Sequence, residues 1–216
     1  MKYKAVLFDL DGTLLDTIED LADSMNRTLK RLGFPPRTVG ECKYLVGDGV
    51  EAFARRSLPE AHRDAPTIAK CIAGIREEYS KRWAEKTHPY KGIPELLDAL
   101  TQRGVRMTVL SNKPHDFTRL MVAELLPHWQ FDLVWGEGPD TPRKPDPGGA
   151  IAMARKLGIE SGEFLYVGDT NTDMQTANAA GMYAVGALWG FRTAEELLAN
   201  GAKVLVESPL DLLDLL

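Results

Sequence analysis

The feature that most restricts the fold is the pattern after residue 88, where short apolar runs alternate with amphipathic stretches. Helical spacing at 94–102, 114–126, 147–157, 172–180 and near 193–199 is interleaved with strand-like runs. Those runs lie at 106–110, 131–135, 164–167, 183–188 and 203–206, and a last helix closes the chain. Strict alternation of this kind predicts a parallel sheet with helices on both faces. Right-handed crossovers make it a doubly wound α/β fold. A first strand comes much earlier, at 5–10, in a run apolar enough to be buried on both faces.

Between the first strand and the rest lies a block of different texture. Ile18, Leu21, Ala22, Met25, Leu29 and Leu32 mark one helical stripe, with Asp16 or Thr17 as its cap. Thr38 and Glu41 have the spacing of a capping box. Residues 50–58 predict a short helix, and Ile68, Cys71, Ile72, Ile75, Tyr79 and Trp83 a longer one. Residues 16–87 therefore read as an all-helical cap, without a strand, inserted into an α/β core formed by 1–15 and 88–216. In open parallel sheets ligands bind at the C-terminal edge, so an insertion after the first strand is expected to roof the site.

Composition narrows the function. The 216 residues are 44% hydrophobic and 26% charged, with a net charge of −5. That balance excludes a general nucleic-acid binder, which needs a basic surface. Cys42 and Cys71 share no metal-site spacing and read as buried thiols of a reducing compartment. The start of the chain shows no apolar targeting segment and no stretch has membrane-spanning length, so a soluble cytoplasmic protein, monomer or homodimer, is expected.

Chemistry-bearing residues gather at the strand ends. Asp9 and Asp11 lie at the end of the first strand and share a side while the chain stays extended. Two carboxylates so close require a cation between them or a shared proton. Ser111 ends another strand just before a helix with Pro114 at its first turn, an arrangement suited to an anion. Lys144 sits in a proline-rich loop, and Asp169 and Asp173 follow a fourth strand at a spacing of one helical turn. Each has a plain structural alternative: a turn, a helix cap, a solvated lysine, capping acids. Together they supply acids for a metal, donors for a phosphoryl group and a lysine for charge. Magnesium commonly takes one or two carboxylates plus phosphate oxygens.

These motifs resemble those of the haloacid dehalogenase superfamily, in its phosphatase branch with a helical cap. The DxDGT run spans Asp9 to Thr13, Ser111 matches the second motif, Lys144 the third, and the GDTxxD acids are Asp169 and Asp173. The resemblance implies Asp9 as nucleophile and Asp11 as general acid and base. It implies Ser111, Asn112 and Lys144 around the phosphoryl oxygens, with Lys144 also offsetting the carboxylates. It places Mg²⁺ on Asp9, Asp11 through its backbone carbonyl, and Asp169, with Asp173 orienting that shell or Lys144. Haloacid dehalogenases proper lack an acid at the position of Asp11, so the implied chemistry is phosphate-ester hydrolysis of a small phosphorylated metabolite.

The expected substrate rests on weaker resemblances. Residues 43–49, Ser111 to Lys113 and the tail from Trp189 to Leu197 are similar to segments of phosphoglycolate phosphatases. Lys43, Arg55, Arg56 and Lys113 are then candidates to hold a substrate carboxylate. Pyrophosphatase, 5′-nucleotidase and β-phosphoglucomutase share the motifs and remain open. A non-enzymatic phospho-acceptor receiver domain is disfavoured by chain length and by the position of the acceptor. A dinucleotide-binding fold is disfavoured because no GxGxxG follows the first strand.

Overall fold

The computed structural model describes residues 2–216, so of the predicted core only Met1 lies outside the described residues. The chain forms two compact units, one from residues up to Leu15 with Pro89–Leu216, the other Asp16–His88. The first strand, β1, is Ala5–Phe8. Leu15–Asp16 (β2) and His88–Pro89 (β3) form a separate two-stranded sheet at the points where the chain passes from one unit to the other. The block expected to be free of strands, 16–87, thus carries one strand residue, Asp16, and β3 begins at His88, just past its end.

The helical unit contains α1 (Ile18–Arg31), α2 (Val39–Leu45), α3 (Gly49–Ser57) and α4 (Ala65–Arg82). The α/β unit continues with α5 (Ile93–Gln102), β4 (Arg106–Pro114), α6 (His115–Leu125), β5 (Leu133–Glu137) and α7 (Gly148–Leu157). It ends with β6 (Phe164–Gly168), α8 (Asn171–Ala179), β7 (Tyr183–Ala187), α9 (Ala194–Ala199) and β8 (Val204–Val206). The closing helix is a 3-10 turn, Pro209–Asp214, opened by Ser208, whose side chain accepts from the Leu210 N–H.

Among the described residues the main sheet has six strands in the order β5-β4-β1-β6-β7-β8, all parallel. The first strand in sequence is therefore central, with Phe8 level with Val109 on one side and Val167 on the other. Both faces of β1 are dry: Ala5, Val6, Leu7 and Phe8 are fully buried. Ala5, Leu7, Phe164 and Tyr166 pack with Ala150, Met153 and Ala154 of α7 and Met174 and Ala177 of α8. Burial on both faces is what a near-continuous apolar strand demands. Two boundaries differ from expectation. β1 stops at Phe8, so Asp9 and Asp11 are not on an extended strand. β4 runs on to Pro114 with a register irregularity after Leu110, and α6 begins only at His115 with Pro114 as its cap. Among the described residues no helix is long and apolar enough to cross a membrane.

In the helical unit, the expected capping box opens α2. Thr38 Oγ1 accepts from Glu41 N at 3.1 Å and the Glu41 carboxylate accepts from Thr38 N at 2.7 Å. Ala22, Met25 and Leu29 of the α1 stripe are fully buried, and Leu32 falls just past the helix end. A less local tie is Asp20, buried on α1. Its Oδ2 accepts from Lys86 N (3.0 Å), Thr87 N (2.8 Å) and Thr87 Oγ1 (2.7 Å). Removing that acceptor strands buried donors, and such groups are expensive to leave unmade. Asp20→Ala is expected to destabilise the fold by about 3 kcal/mol, read as a lower urea midpoint by circular dichroism. A midpoint equal to that of the wild type would show that water replaces the carboxylate without loss.

Candidate active site

The site grows from β1. Asp9 is the first residue beyond the register of β1 with β4 and β6, which places it in the line of strand ends, and Asp9 N donates to Val167 O at 2.9 Å. The carboxylate is nearly buried. Its Oδ1 accepts from Leu10 N at 2.7 Å and pairs with Lys144 Nζ at 2.8 Å. Its Oδ2 accepts no hydrogen bond among the described residues.

Lys144 is the largest departure from a plain reading of the sequence. A loop lysine is ordinarily solvated, yet this one is only 2% exposed. Besides Asp9, its ammonium reaches Asp173 Oδ1 at 2.7 Å and Leu110 O at 3.2 Å. Its backbone is fixed by Asn112: Lys144 N donates to Asn112 Oδ1 at 2.8 Å, and Asn112 Nδ2 donates to Lys144 O at 3.1 Å. The Asn112 amide, expected at the phosphoryl oxygens, thus grips the loop that delivers Lys144.

Asp169 and Asp173 follow β6. Asp173 is three residues into α8, where its Oδ2 accepts from Thr170 N at 3.1 Å and Thr170 Oγ1 at 2.5 Å. With Oδ1 on Lys144, both its oxygens have donors. Asp169, fully buried, accepts from Thr13 Oγ1 at 2.8 Å and from Phe191 N at 2.8 Å. Gly12, at φ 87, passes so close that an added Cβ would lie 2.3 Å from Asp169 Oδ2, and only glycine fits there.

Asp11 does not join this cluster. Its Oδ1 pairs with Lys113 Nζ at 2.6 Å, and the Lys113 side chain is largely buried. Ser111 is buried in the irregular part of β4, with its Oγ accepting from Lys113 N at 3.2 Å. Lys43 on α2 and Arg55 on α3 belong to the helical unit, and Arg55 is exposed, with Glu51 at 3.6 Å. Sequence reading did not find the contacts of Phe191 or of the Trp189 indole, which donates to Thr13 O at 2.9 Å.

Ligand atoms of Asp9, Asp169 and Asp173 lie within 4.8 Å of one another, all buried. Burial, then the charge of Asp173, pushes the Asp9 carboxyl well above the ordinary carboxylate range, against the pull of Lys144. Burial and Asp173 push Asp169 up to about 7, against the Phe191 N–H, the Thr13 hydroxyl and Arg192. Burial works against the Lys144 ammonium, but Asp173 and Asp9 outweigh it and hold that lysine well above its usual range. Three carboxylates against one ammonium leave two negative charges over when all are ionised. An all-oxygen donor set with that excess fits a hard divalent cation. Asp9 and Asp169 could hold it: Asp173 is engaged by the Lys144 ammonium on one oxygen and by two Thr170 donors on the other, whereas each Asp169 oxygen has a single neutral donor.

A profile of haloacid dehalogenase-like hydrolases matches residues 6–187. The chain belongs to the haloacid dehalogenase-like hydrolase family and is an enzyme of its α/β class. It is 34% identical over 209 residues to the phosphoglycolate phosphatase of Xanthomonas campestris pv. campestris, covering 95% of this chain and 93% of that protein. It is 32% identical to the phosphoglycolate phosphatase of Aquifex aeolicus, covering 87% and 86%. A solved structure from Lactobacillus delbrueckii subsp. bulgaricus, provisionally assigned as a phosphoglycolate phosphatase, superposes with a TM-score of 0.92. That chain is 32% identical, with coverage of 98% and 97%.

The raised carboxyls set a pH dependence. Asp169 goes from an ordinary 3.8 to about 7 on folding, so its protonated form is favoured in the folded state. That stability is complete below pH 3.8 and is lost as pH climbs through about 7. Asp9 acts in the same sense. In EDTA, the thermal midpoint is expected to fall from pH 5 to pH 8. A midpoint that rises over that interval would mean the carboxylates are ionised at no cost.

Proposed function

We propose that this enzyme is a Mg²⁺-dependent phosphatase that hydrolyses small phosphate monoesters through an aspartyl-phosphate on Asp9, with 2-phosphoglycolate as its substrate. The observation that carries the reading is the state of Asp9 at the tip of the central strand. One oxygen is fixed by Lys144 and Leu10 N, and the other accepts no hydrogen bond among the described residues. An oriented carboxylate with one oxygen left to react is what nucleophilic catalysis requires.

In this reading Asp9 Oδ2 attacks phosphorus and the bond to the leaving alkoxide breaks, the alkoxide taking a proton from Asp11. Water, giving its proton to Asp11, then attacks the aspartyl-phosphate and frees Asp9 and inorganic phosphate. Mg²⁺, held by Asp9 and Asp169, supplies charge neutralisation and orientation of the phosphoryl group when bound. Lys144 offsets the anionic crowd at the point where charge develops, and Ser111 is the hydroxyl at hand for a phosphoryl oxygen. Lys113 supports the carboxylate-bearing substrate: its largely buried ammonium is next to the general acid, where the leaving group must lie. The phosphoglycolate phosphatases of Xanthomonas campestris and Aquifex aeolicus support the same choice.

Asp9→Asn is expected to abolish turnover while the circular dichroism spectrum is kept, and EDTA to abolish it reversibly. Activity in metal-free protein would overturn the mechanism. Asp11→Asn should lose about 10²–10⁴-fold, with a smaller loss on p-nitrophenyl phosphate, whose leaving group departs without a proton. Equal losses on both would leave Asp11 without a proton-transfer role. Substrate choice is decided by kcat/KM for 2-phosphoglycolate, pyrophosphate, nucleoside monophosphates and glucose 1-phosphate. Pyrophosphate ahead of the rest, or glucose 1-phosphate isomerised instead of hydrolysed, would replace the substrate and leave Asp9 in its role.

A further inference from the structure

After β7 the chain runs through Leu188 to Arg192 and closes on Asp169. Trp189 Nε1 donates to Thr13 O at 2.9 Å, and Thr13 Oγ1 donates to Asp169 Oδ1 at 2.8 Å. Two residues on, Phe191 N donates to Asp169 Oδ2 at 2.8 Å. Between them, Gly190 lies against the carboxylate: an added Cβ would be 2.2 Å from Asp169 Cβ and 2.5 Å from Gly12 O. Each Asp169 oxygen therefore has one protein donor, and both donors depend on the segment from Trp189 to Phe191. A carboxylate oxygen has further lone pairs, so these bonds fix the group without consuming its capacity as a ligand.

We propose that Trp189 is a positioning residue for the metal site. Its indole anchors the Thr13 carbonyl, which sets the Thr13 hydroxyl, which aims Asp169. The proposal rests on the reading of Asp169 as a metal ligand. Groups that orient ligands from behind typically change metal affinity by about 10–100-fold when removed. The ring of Trp189 is only half-buried, so Trp189→Phe removes the N–H while keeping most of the packing.

The test is calorimetric titration of metal-free protein with Mg²⁺ alone, without substrate. Trp189→Phe is expected to raise the Kd about tenfold. Thr13→Val should weaken binding at least as much, and Thr13→Ser, which keeps the hydroxyl, should bind like the wild type. Because the two residues act through one hydroxyl, the double variant Trp189→Phe with Thr13→Val should match Thr13→Val alone within about twofold. An unchanged Kd in Trp189→Phe overturns the proposal while the metal site stands. Additive losses in the double variant also overturn it, since Trp189 would then act by another route. A lower melting temperature with unchanged Mg²⁺ affinity would assign Trp189 to the fold alone. Failure of the wild type to bind Mg²⁺ would remove the metal reading itself, and this proposal with it.

Discussion

Everything in the α/β unit is organised around the cost of burying Asp9, Asp169 and Asp173 within a few ångströms of one another. Like charges at that range in a dry site repel strongly unless neutralised. The fold answers with a buried ammonium, Lys144, shared between Asp9 and Asp173 at 2.8 and 2.7 Å. Backbone N–H groups and hydroxyls add to it from Leu10, Thr13, Thr170 and Phe191. What this leaves over is a charge that a divalent cation would complete. The strain of an incomplete site and its capacity to bind are the same physical fact.

Topology makes the crowding possible. A central β1 flanked by parallel β4 and β6 brings three strand ends to one edge, so acids far apart in sequence meet without any long connection. Lys144 comes from beyond β5, and the Asn112 amide spans the gap by holding the lysine backbone at both its N–H and its carbonyl. Substituting Asn112 is thus a way of moving Lys144 without touching its ammonium.

The periodic parts of the structure were legible in the sequence because they are local. Alternation gave the parallel sheet, the α1 stripe gave its buried face, and Thr38 with Glu41 gave the start of α2. What sequence reading missed depends on contacts across long stretches of chain. Past Phe8 the chain turns, with the N–H groups of Thr13, Leu14 and Leu15 closing on Leu10 O, and Asp11 meets Lys113 from a strand 102 residues on. The continuation of β4 to Pro114 follows from its contact with Glu137 on β5. The motif acids were recognisable by type and order. The residues that aim them, Trp189 and Phe191 among them, carry no chemical signature, since one acts through an indole N–H and the other through its backbone.

The position of β1 also has a consequence for how the chain is made. Its register partners begin at Arg106 and Phe164, so this apolar strand leaves the ribosome long before it can pair on either side. The helices from Ile18 to Arg82, by contrast, find their partners within their own unit. Local contacts form faster than pairings distant in sequence, which favours a nascent chain whose helical unit is complete while this apolar strand stays open. Exposed apolar surface and unpaired strand edges make such species prone to aggregate, and the residues that make the enzyme's centre dry are the ones left exposed longest.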